Sequence, residues 1–271
     1  MTTSHVSDPA WVGRQYSDAS KLDARIQLHA LYSTNTCPWH SWVFDQLDLA
    51  AGSRILELGS GKGDLWRDNW HHVPAGWQIL LTDLFPRMIL STTEGLTGSC
   101  ERFSFAVADA QAIPFADRQF DAVVANHMLY HVPDRAQAFG EIHRTLRPGG
   151  RLFAATNGES HMRQLEDLVR RFDPGLGYRI GELGFTLENG PEQLSSWFSR
   201  IELRLHADSL CVTEVAPLVD YVFSAIEAGE ETRRAFARFV RAELESQEGA
   251  IHIGKNSGML IAQRRGQAGD A

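Results

Sequence analysis

Between Arg54 and Thr156 five short apolar runs are separated by amphipathic stretches, and this rhythm restricts the fold more than any other feature. The runs Arg54–Leu58, Trp77–Thr82, Phe103–Val107, Phe120–Ala125 and Arg151–Thr156 have the length and composition of strands. Leu65–Trp70 reads as helix, and Pro86–Leu90 starts another with proline in a tolerated early position. In Arg135–Leu146 the residues Ala138, Phe139, Ile142 and Leu146 share one helical face, and Pro148-Gly149-Gly150 is expected to stop that helix. Strand and helix in alternation predict an α/β fold, doubly wound around a mostly parallel sheet. The strands Ile201–Leu205 and Met259–Gln263, with helices Val215–Ile226 and Glu231–Leu244, complete seven strands. Such sheets bind ligands beyond the carboxyl ends of their strands, where strand order reverses.

Residues 1–46 precede this alternation and read as an aromatic-rich helical lid. Residues 47–265 form the main domain, with a cap insertion at about 157–200, and residues 266–271 form a fraying tail. Within the insertion, helix His161–Phe172 ends before Pro174, and Gly175, Gly177, Gly181 and Gly184 mark irregular chain. A hydrophobic fraction of 43% supports a sizeable core. The formal charge of -8, with no offsetting Lys/Arg cluster, argues against nucleic acid as a partner. Cys37, Cys100 and Cys211 share no CxxC spacing and read as free thiols of a reducing cytoplasm. No apolar run approaches the roughly 18–20 residues that span a bilayer, and the first residues do not resemble a secretory signal. The expectation is a cytoplasmic protein, monomer or homodimer, without membrane or metal, acting on a small molecule.

The first strand runs into Glu57-Leu58-Gly59-Ser60-Gly61-Lys62-Gly63. A glycine loop between a strand and a helix lets a ligand approach free backbone N–H groups. A phosphate-binding loop of the Walker type needs Ser or Thr after its lysine, but Gly63 follows Lys62. A dinucleotide fingerprint counted from Gly59 and Gly61 needs a third small residue where Asp64 stands, and that carboxylate would face a pyrophosphate. The pattern Glu-x-Gly-x-Gly-x-Gly, with acids at both ends, suits a ligand bearing a cation and no phosphate.

That pattern resembles motif I of the class I S-adenosylmethionine-dependent methyltransferases, which have a Rossmann-like fold. The resemblance extends through Asp83, Ala108-Asp109-Ala110, Ile113-Pro114-Phe115 with Phe120-Asp121, and Leu146-Arg147-Pro148-Gly149-Gly150, and covers roughly Arg54 to Thr156. It implies S-adenosylmethionine as cofactor. Gly59, Ser60 and Gly61 would line the loop, which Glu57 would orient unless it acts through water. Asp83 would hold the ribose hydroxyls and Leu84 would pack on the adenine face. Asp109 would accept from the adenine amine while the Ala110 N–H donates to a ring nitrogen. Asn126 would contact the methionine end, and in the lid Tyr16 would close over the cofactor while Arg25 pairs with its carboxylate. The alternative for Asp83 is a helix cap, and for Asp109 a turn residue. The chain is also similar to bacterial small-molecule methyltransferases sharing the patterns seen at Leu22–His29 and Thr156–Met162.

Past the fourth strand, Asn126-His127-Met128-Leu129-Tyr130-His131 borders the acceptor pocket in such a fold. His127 and His131, four residues apart, lack the third ligand a metal pair needs. Either is a candidate general base, the rival reading being a packed histidine that shapes the pocket. Trp39 and Trp42 either line an apolar acceptor pocket or belong to the core, and Glu159 and His161 are further base candidates, with Ser160 as a possible helix N-cap. The function implied is methyl transfer to an oxygen, nitrogen or carbon atom of a small molecule by in-line displacement. The alternatives are non-methylating chemistry on the same cofactor, such as cyclisation, or cofactor binding without turnover.

Overall fold

In the computed structural model, which describes residues 19–96, 102–178, 183–226 and 228–265, seven strands form one sheet in the order β3-β2-β1-β4-β5-β7-β6. These are β1 (Arg54–Leu58), β2 (Gln78–Asp83), β3 (Phe103–Val107), β4 (Phe120–Asn126), β5 (Leu146–Asn157), β6 (Phe198–Val212) and β7 (Ile251–Arg264). The pairs β1–β2, β2–β3, β1–β4 and β4–β5 are parallel, and β5–β7 is antiparallel. Strand order reverses between β1 and β4, so the carboxyl ends of these two strands flank the expected binding crevice.

Side chains alternate between the two faces of the sheet, as period two requires. Leu56, Leu58, Val123, Ala125, Leu152 and Ala154 join a core with Phe139 and Ile142 of helix Arg135–Thr145. Ile55, Val124, Phe153 and Ala155 enter the other core, with Trp66 of helix Asp64–Asn69 and Val43 of helix Trp39–Asp45. With both faces covered, the central strands read as largely apolar runs, broken in β1 by Glu57 and in β4 by Asp121.

The chain divides into two compact units. The larger takes the described residues of Cys37–Gly158, Leu183–His206 and Ser257 onward, and contains both cores above. The smaller takes the described residues up to Thr36, with those of Glu159–Glu182 and Ala207–Asn256. Its own core gathers Leu28, Met162, Leu165, Leu168, Leu218, Val222, Phe236 and Val240. Helix Ala19–Tyr32 packs there against helix Val215–Ala225. The expected fraying tail, 266–271, and residues 1–18 of the expected lid lie outside the described residues, as do Cys100 and Gly181.

Three local expectations need correction. Pro148-Gly149-Gly150 does not follow a helix but lies inside β5, because the helix ends at Thr145 and the strand begins at Leu146. The register slips between Phe120 and Ala122 to absorb that segment. Ser160 does not cap the next helix: Met162 stands at the cap, and the Ser160 hydroxyl accepts from the Asn256 amide at 3.0 Å. The last two strands run to Val212 and back to Ile251, well beyond their apolar stretches. A buried ion pair in the smaller unit permits this, in which Lys255 donates to Asp208. Asp208 also accepts from the Ser33 hydroxyl at 2.6 Å and the Asn35 N–H at 3.0 Å. Burial works to raise the Asp208 carboxyl, but these bonds bring it down to about 2.

Candidate functional site

The candidate site lies at the carboxyl ends of β1, β2, β3 and β4 in the larger unit. After Leu58 the backbone turns through Gly59, Gly61 and Gly63, all with positive φ. At Gly63 (φ 74°) a Cβ would come within 2.6 Å of Thr92 Cγ2, and at Gly59 (φ 67°) within 2.8 Å of Met128 Cβ. Both positions therefore demand glycine for conformation and for space. The turn is pinned from several sides: Ser60 N–H donates to the Thr82 carbonyl at 2.9 Å and Gly63 N–H to the Ser60 carbonyl at 2.9 Å. The Thr92 hydroxyl donates to the Gly61 carbonyl at 2.6 Å. Ser60 Oγ is buried without a hydrogen-bond partner among the described residues, and a buried hydroxyl left so is costly unless a ligand meets it.

Asp83 ends β2 and is 8% exposed. Its carboxylate accepts from Gly61 N–H at 3.0 Å and from Phe85 N–H at 2.9 Å. Burial holds this carboxyl above its ordinary range, while the N–H groups of Phe85, Gly61 and Leu84 pull the other way. The acid is thus tied to the glycine loop itself, and its remaining lone pairs are left to accept from a ligand. Leu84 beside it is 44% exposed, an apolar surface at the strand end.

Glu57 faces the opposite situation. It is 2% exposed, and the Trp66 indole N–H donates to its Oε2 at 2.6 Å. Burial pushes its carboxyl up to about 8; the indole bond lowers it, and the charges of Asp83 and Asp64 raise it further. At neutral pH this side chain is mostly protonated, and it stays inside the fold, under the loop.

Past β3 the chain makes a tight turn at Asp109, whose carbonyl accepts from Ala112 N–H at 3.0 Å. The Asp109 carboxylate accepts from Gln111 N–H at 2.8 Å and from the Gln111 amide, leaving lone pairs over. Ala108 and Ala110 are buried on either side. Arg144 clamps the following segment, donating to the carbonyls of Ile113 and Phe115, while Glu141 accepts from Ile113 N–H at 2.8 Å.

Asn126 closes β4, and His127 follows in the left-handed region (φ 53°), held by its N–H to the Ala155 carbonyl at 3.1 Å. An aromatic wall stands beside them. The Trp39 indole N–H donates to Asn126 Oδ1 at 3.2 Å. Its ring stacks on Trp42 at 5.2 Å and lies 4.9 Å from the His127 ring. The Tyr130 ring is 6.2 Å from that of His127 and 4.5 Å from that of His131. His206, 3% exposed, lies edge to face with Trp39 at 5.4 Å and tilted against Trp42 at 5.2 Å, and bonds the Cys37 carbonyl through Nε2 at 3.0 Å.

Residues 56–154 match the family of methyltransferase domains. The chain carries a class I S-adenosylmethionine-dependent methyltransferase domain. Relatives include a ubiquinone/menaquinone biosynthesis C-methyltransferase (UbiE) of Pectobacterium carotovorum, 29% identical over 146 residues, which cover 53% of this chain and 58% of that protein. The methyltransferase GfsG of Streptomyces halstedii is 34% identical over 125 residues, 42% of this chain and 41% of its own length. The chain spans less than two thirds of the length of these relatives. Among solved structures, phosphoethanolamine N-methyltransferase 2 of Haemonchus contortus, in complex with S-adenosyl-L-methionine, superposes with a TM-score of 0.60 at 19% identity, covering 95% of this chain and 60% of that one.

In this methyltransferase domain Glu57, Gly59, Ser60, Gly61, Asp83, Leu84, Asp109, Ala110, Asn126, His127 and His131 all fall at the ends of adjacent strands or on the loops after them. Tyr16 lies outside the described residues, and for Arg25 the structure describes only its place in helix Ala19–Tyr32 of the smaller unit. Glu159 and His161 also belong to the smaller unit. Burial, and then the charges of His29 and Lys255, push His161 down to about 3, too weak a base to be useful near neutrality. Sequence reasoning missed three contributors. Trp66 follows Glu57 by nine residues, on the first turns of the next helix, and that spacing was a usable signal. Thr92 follows Asp83 at the same spacing, on helix Pro86–Gly95, while His206 lies far from the motifs and carried no signal.

Proposed function

We propose that the chain transfers a methyl group from S-adenosylmethionine to an oxygen, nitrogen or carbon atom of a small-molecule acceptor. The observation that carries this reading is the Asp83 carboxylate, fixed by two backbone N–H groups against the glycine loop. The residues present fit the cofactor. Asp83 offers acceptors suited to a ribose diol, and the buried Ser60 hydroxyl awaits a partner. Asp109 and Ala110, on the turn past β3, would read an adenine edge, with the exposed Leu84 as an apolar face. When bound, S-adenosylmethionine supplies an electrophilic methyl group on a sulfonium.

What the chain's residues contribute is positioning and exclusion of water. Asp83 and the loop fix one end of the site, Asn126 the other. Trp39, Trp42 and Tyr130 give the wall beyond Asn126 an aromatic surface, which suits an apolar or flat acceptor. His127 or His131 takes the proton from an acceptor O–H or N–H that must be deprotonated. The net charge of -8 supports a small-molecule acceptor over nucleic acid. Among the described residues no helix is long and apolar enough to cross a membrane, and a cytoplasmic location accords with this reading. In the N-terminal segment, Tyr16 and Arg25 remain the proposed lid contacts.

The test is titration calorimetry with S-adenosylmethionine, followed by an acceptor screen read by mass. The expected outcome is saturable binding, release of S-adenosylhomocysteine and an acceptor heavier by one methyl group. Methylthioadenosine as the product would instead indicate non-methylating chemistry, and no binding at all would refute the site. Asp83→Ala should abolish binding; an unaltered affinity would show that the ribose site is misplaced.

A further inference from the structure

The contact between Trp39 and Asn126 has a chemical direction. An indole N–H is only a donor, whereas a carboxamide offers an acceptor oxygen on one side and an NH2 donor on the other. With the indole N–H donating to Oδ1 at 3.2 Å, the carboxamide is oriented, with Nδ2 on the side away from that bond. Neither partner has much freedom. Asn126 pairs with Ala155 at the end of β4, and the His127 N–H fixes the next residue. The Trp39 ring is held by its stack on Trp42 and by contacts with His127 and His206. This pair stands next to the glycine loop, since β4 neighbours β1 with Leu58 opposite Ala125, and Met128 presses on Gly59.

We propose that Trp39 is a positioning residue. It turns the Asn126 carboxamide so that Nδ2 donates to the carboxylate at the amino-acid end of the bound cofactor. The inference rests on the cofactor site proposed above. An outward NH2 group matches an anion and opposes an ammonium, so the carboxylate, not the adjacent amine, is the group it selects.

The experiment measures binding of two probes by calorimetry, S-adenosylhomocysteine, which has the amino-acid end, and 5′-methylthioadenosine, which lacks it. Trp39→Phe keeps an aromatic ring and removes the donor. It should weaken S-adenosylhomocysteine by about 5–10-fold, the scale of one lost hydrogen bond, and leave 5′-methylthioadenosine within about 2-fold. Asn126→Asp replaces the outward NH2 with an oxygen that repels a carboxylate, and should weaken S-adenosylhomocysteine by at least about 30-fold with the same indifference for the shorter probe. Equal losses for both probes would mean that Trp39 only supports the fold, and no loss for either would place the carboxylate elsewhere; both results overturn the proposal. Failure of the unaltered protein to bind either probe would refute the cofactor site itself, and this inference with it.

Discussion

Replacing Glu57 by glutamine should stabilise the ligand-free protein, and by an amount that grows with pH. The side chain is buried, and its carboxyl is pushed up to about 8 from the ordinary 4.5. A carboxyl whose folded pKa is raised opposes folding once the pH exceeds its unfolded value, because the unfolded state releases the proton more readily. The penalty therefore sets in above pH 4.5 and grows until the pH passes the folded value. From these two values the linkage integral is about 1 kcal/mol at pH 5.5, about 3 kcal/mol at pH 7 and between about 4 and 5 kcal/mol at pH 8.5, order-of-magnitude figures. Glu57→Gln keeps an oxygen for the Trp66 indole N–H and has no proton to lose. Urea denaturation of both proteins without cofactor, at pH 5.5, 7 and 8.5, should show a stability gap that widens by about 3 kcal/mol across the series. A gap that stays constant with pH, or a variant that is weaker at pH 8.5, would refute the argument that burial keeps this carboxyl protonated.

The other tests address the loop and the smaller unit. Gly61→Ala meets nothing within 4 Å and carries only the strain of φ 58°, so it should lose about 1–2 kcal/mol. Gly63→Ala adds a collision with Thr92 and should lose about 2–4 kcal/mol, both losses read by thermal or urea denaturation. If the two alanines were equivalent, the close packing of Thr92 against the loop would be wrong. His161, pushed down to about 3, is neutral in the folded state, so the unfolded state binds more protons between about pH 6.5 and 3 and stability falls as the pH drops through that window. His161→Gln should recover about 2 kcal/mol of that loss at pH 5, relative to pH 7.5. An unchanged acid profile would place the titrating group elsewhere, with His29, Lys255 and Asp208 the charged neighbours to examine.

The legible parts of this chain were those whose residues declare their environment locally. β1 and β3 could be bounded to the residue, because an apolar run ended at glycines or at a polar turn on each side. Asp83, Asp109 and Asn126 could be placed at strand ends because the alternation fixed where strands stop. What stayed hidden depended on partners far away in sequence. β6 seemed to end at Leu205, since His206, Asp208 and Ser209 are polar; their partners there are distant in sequence, Cys37 for His206, Thr34 for Ser209, and Ser33 and Lys255 for Asp208. Trp39 could be core or pocket on sequence grounds, and its bond to Asn126, 87 residues on, was not visible there. His161 seemed available as a base because nothing in its neighbours in sequence reveals the surroundings that push it down to about 3.

The Thr92 clamp on the glycine loop has a kinetic consequence. Because the Gly61 carbonyl, the Gly61 N–H and the Ser60 N–H are all engaged by other parts of the larger unit, the loop already has its shape before anything binds. Little ordering entropy is then spent on closing this turn around a ligand. Association at the loop should be single-exponential and linear in concentration, without the plateau that a slow rearrangement imposes. Differences in affinity among nucleoside ligands should appear almost wholly in how long each one stays bound. Thr92→Val, which removes one of these three ties while keeping the side-chain bulk, should loosen the loop and add a slow phase to association.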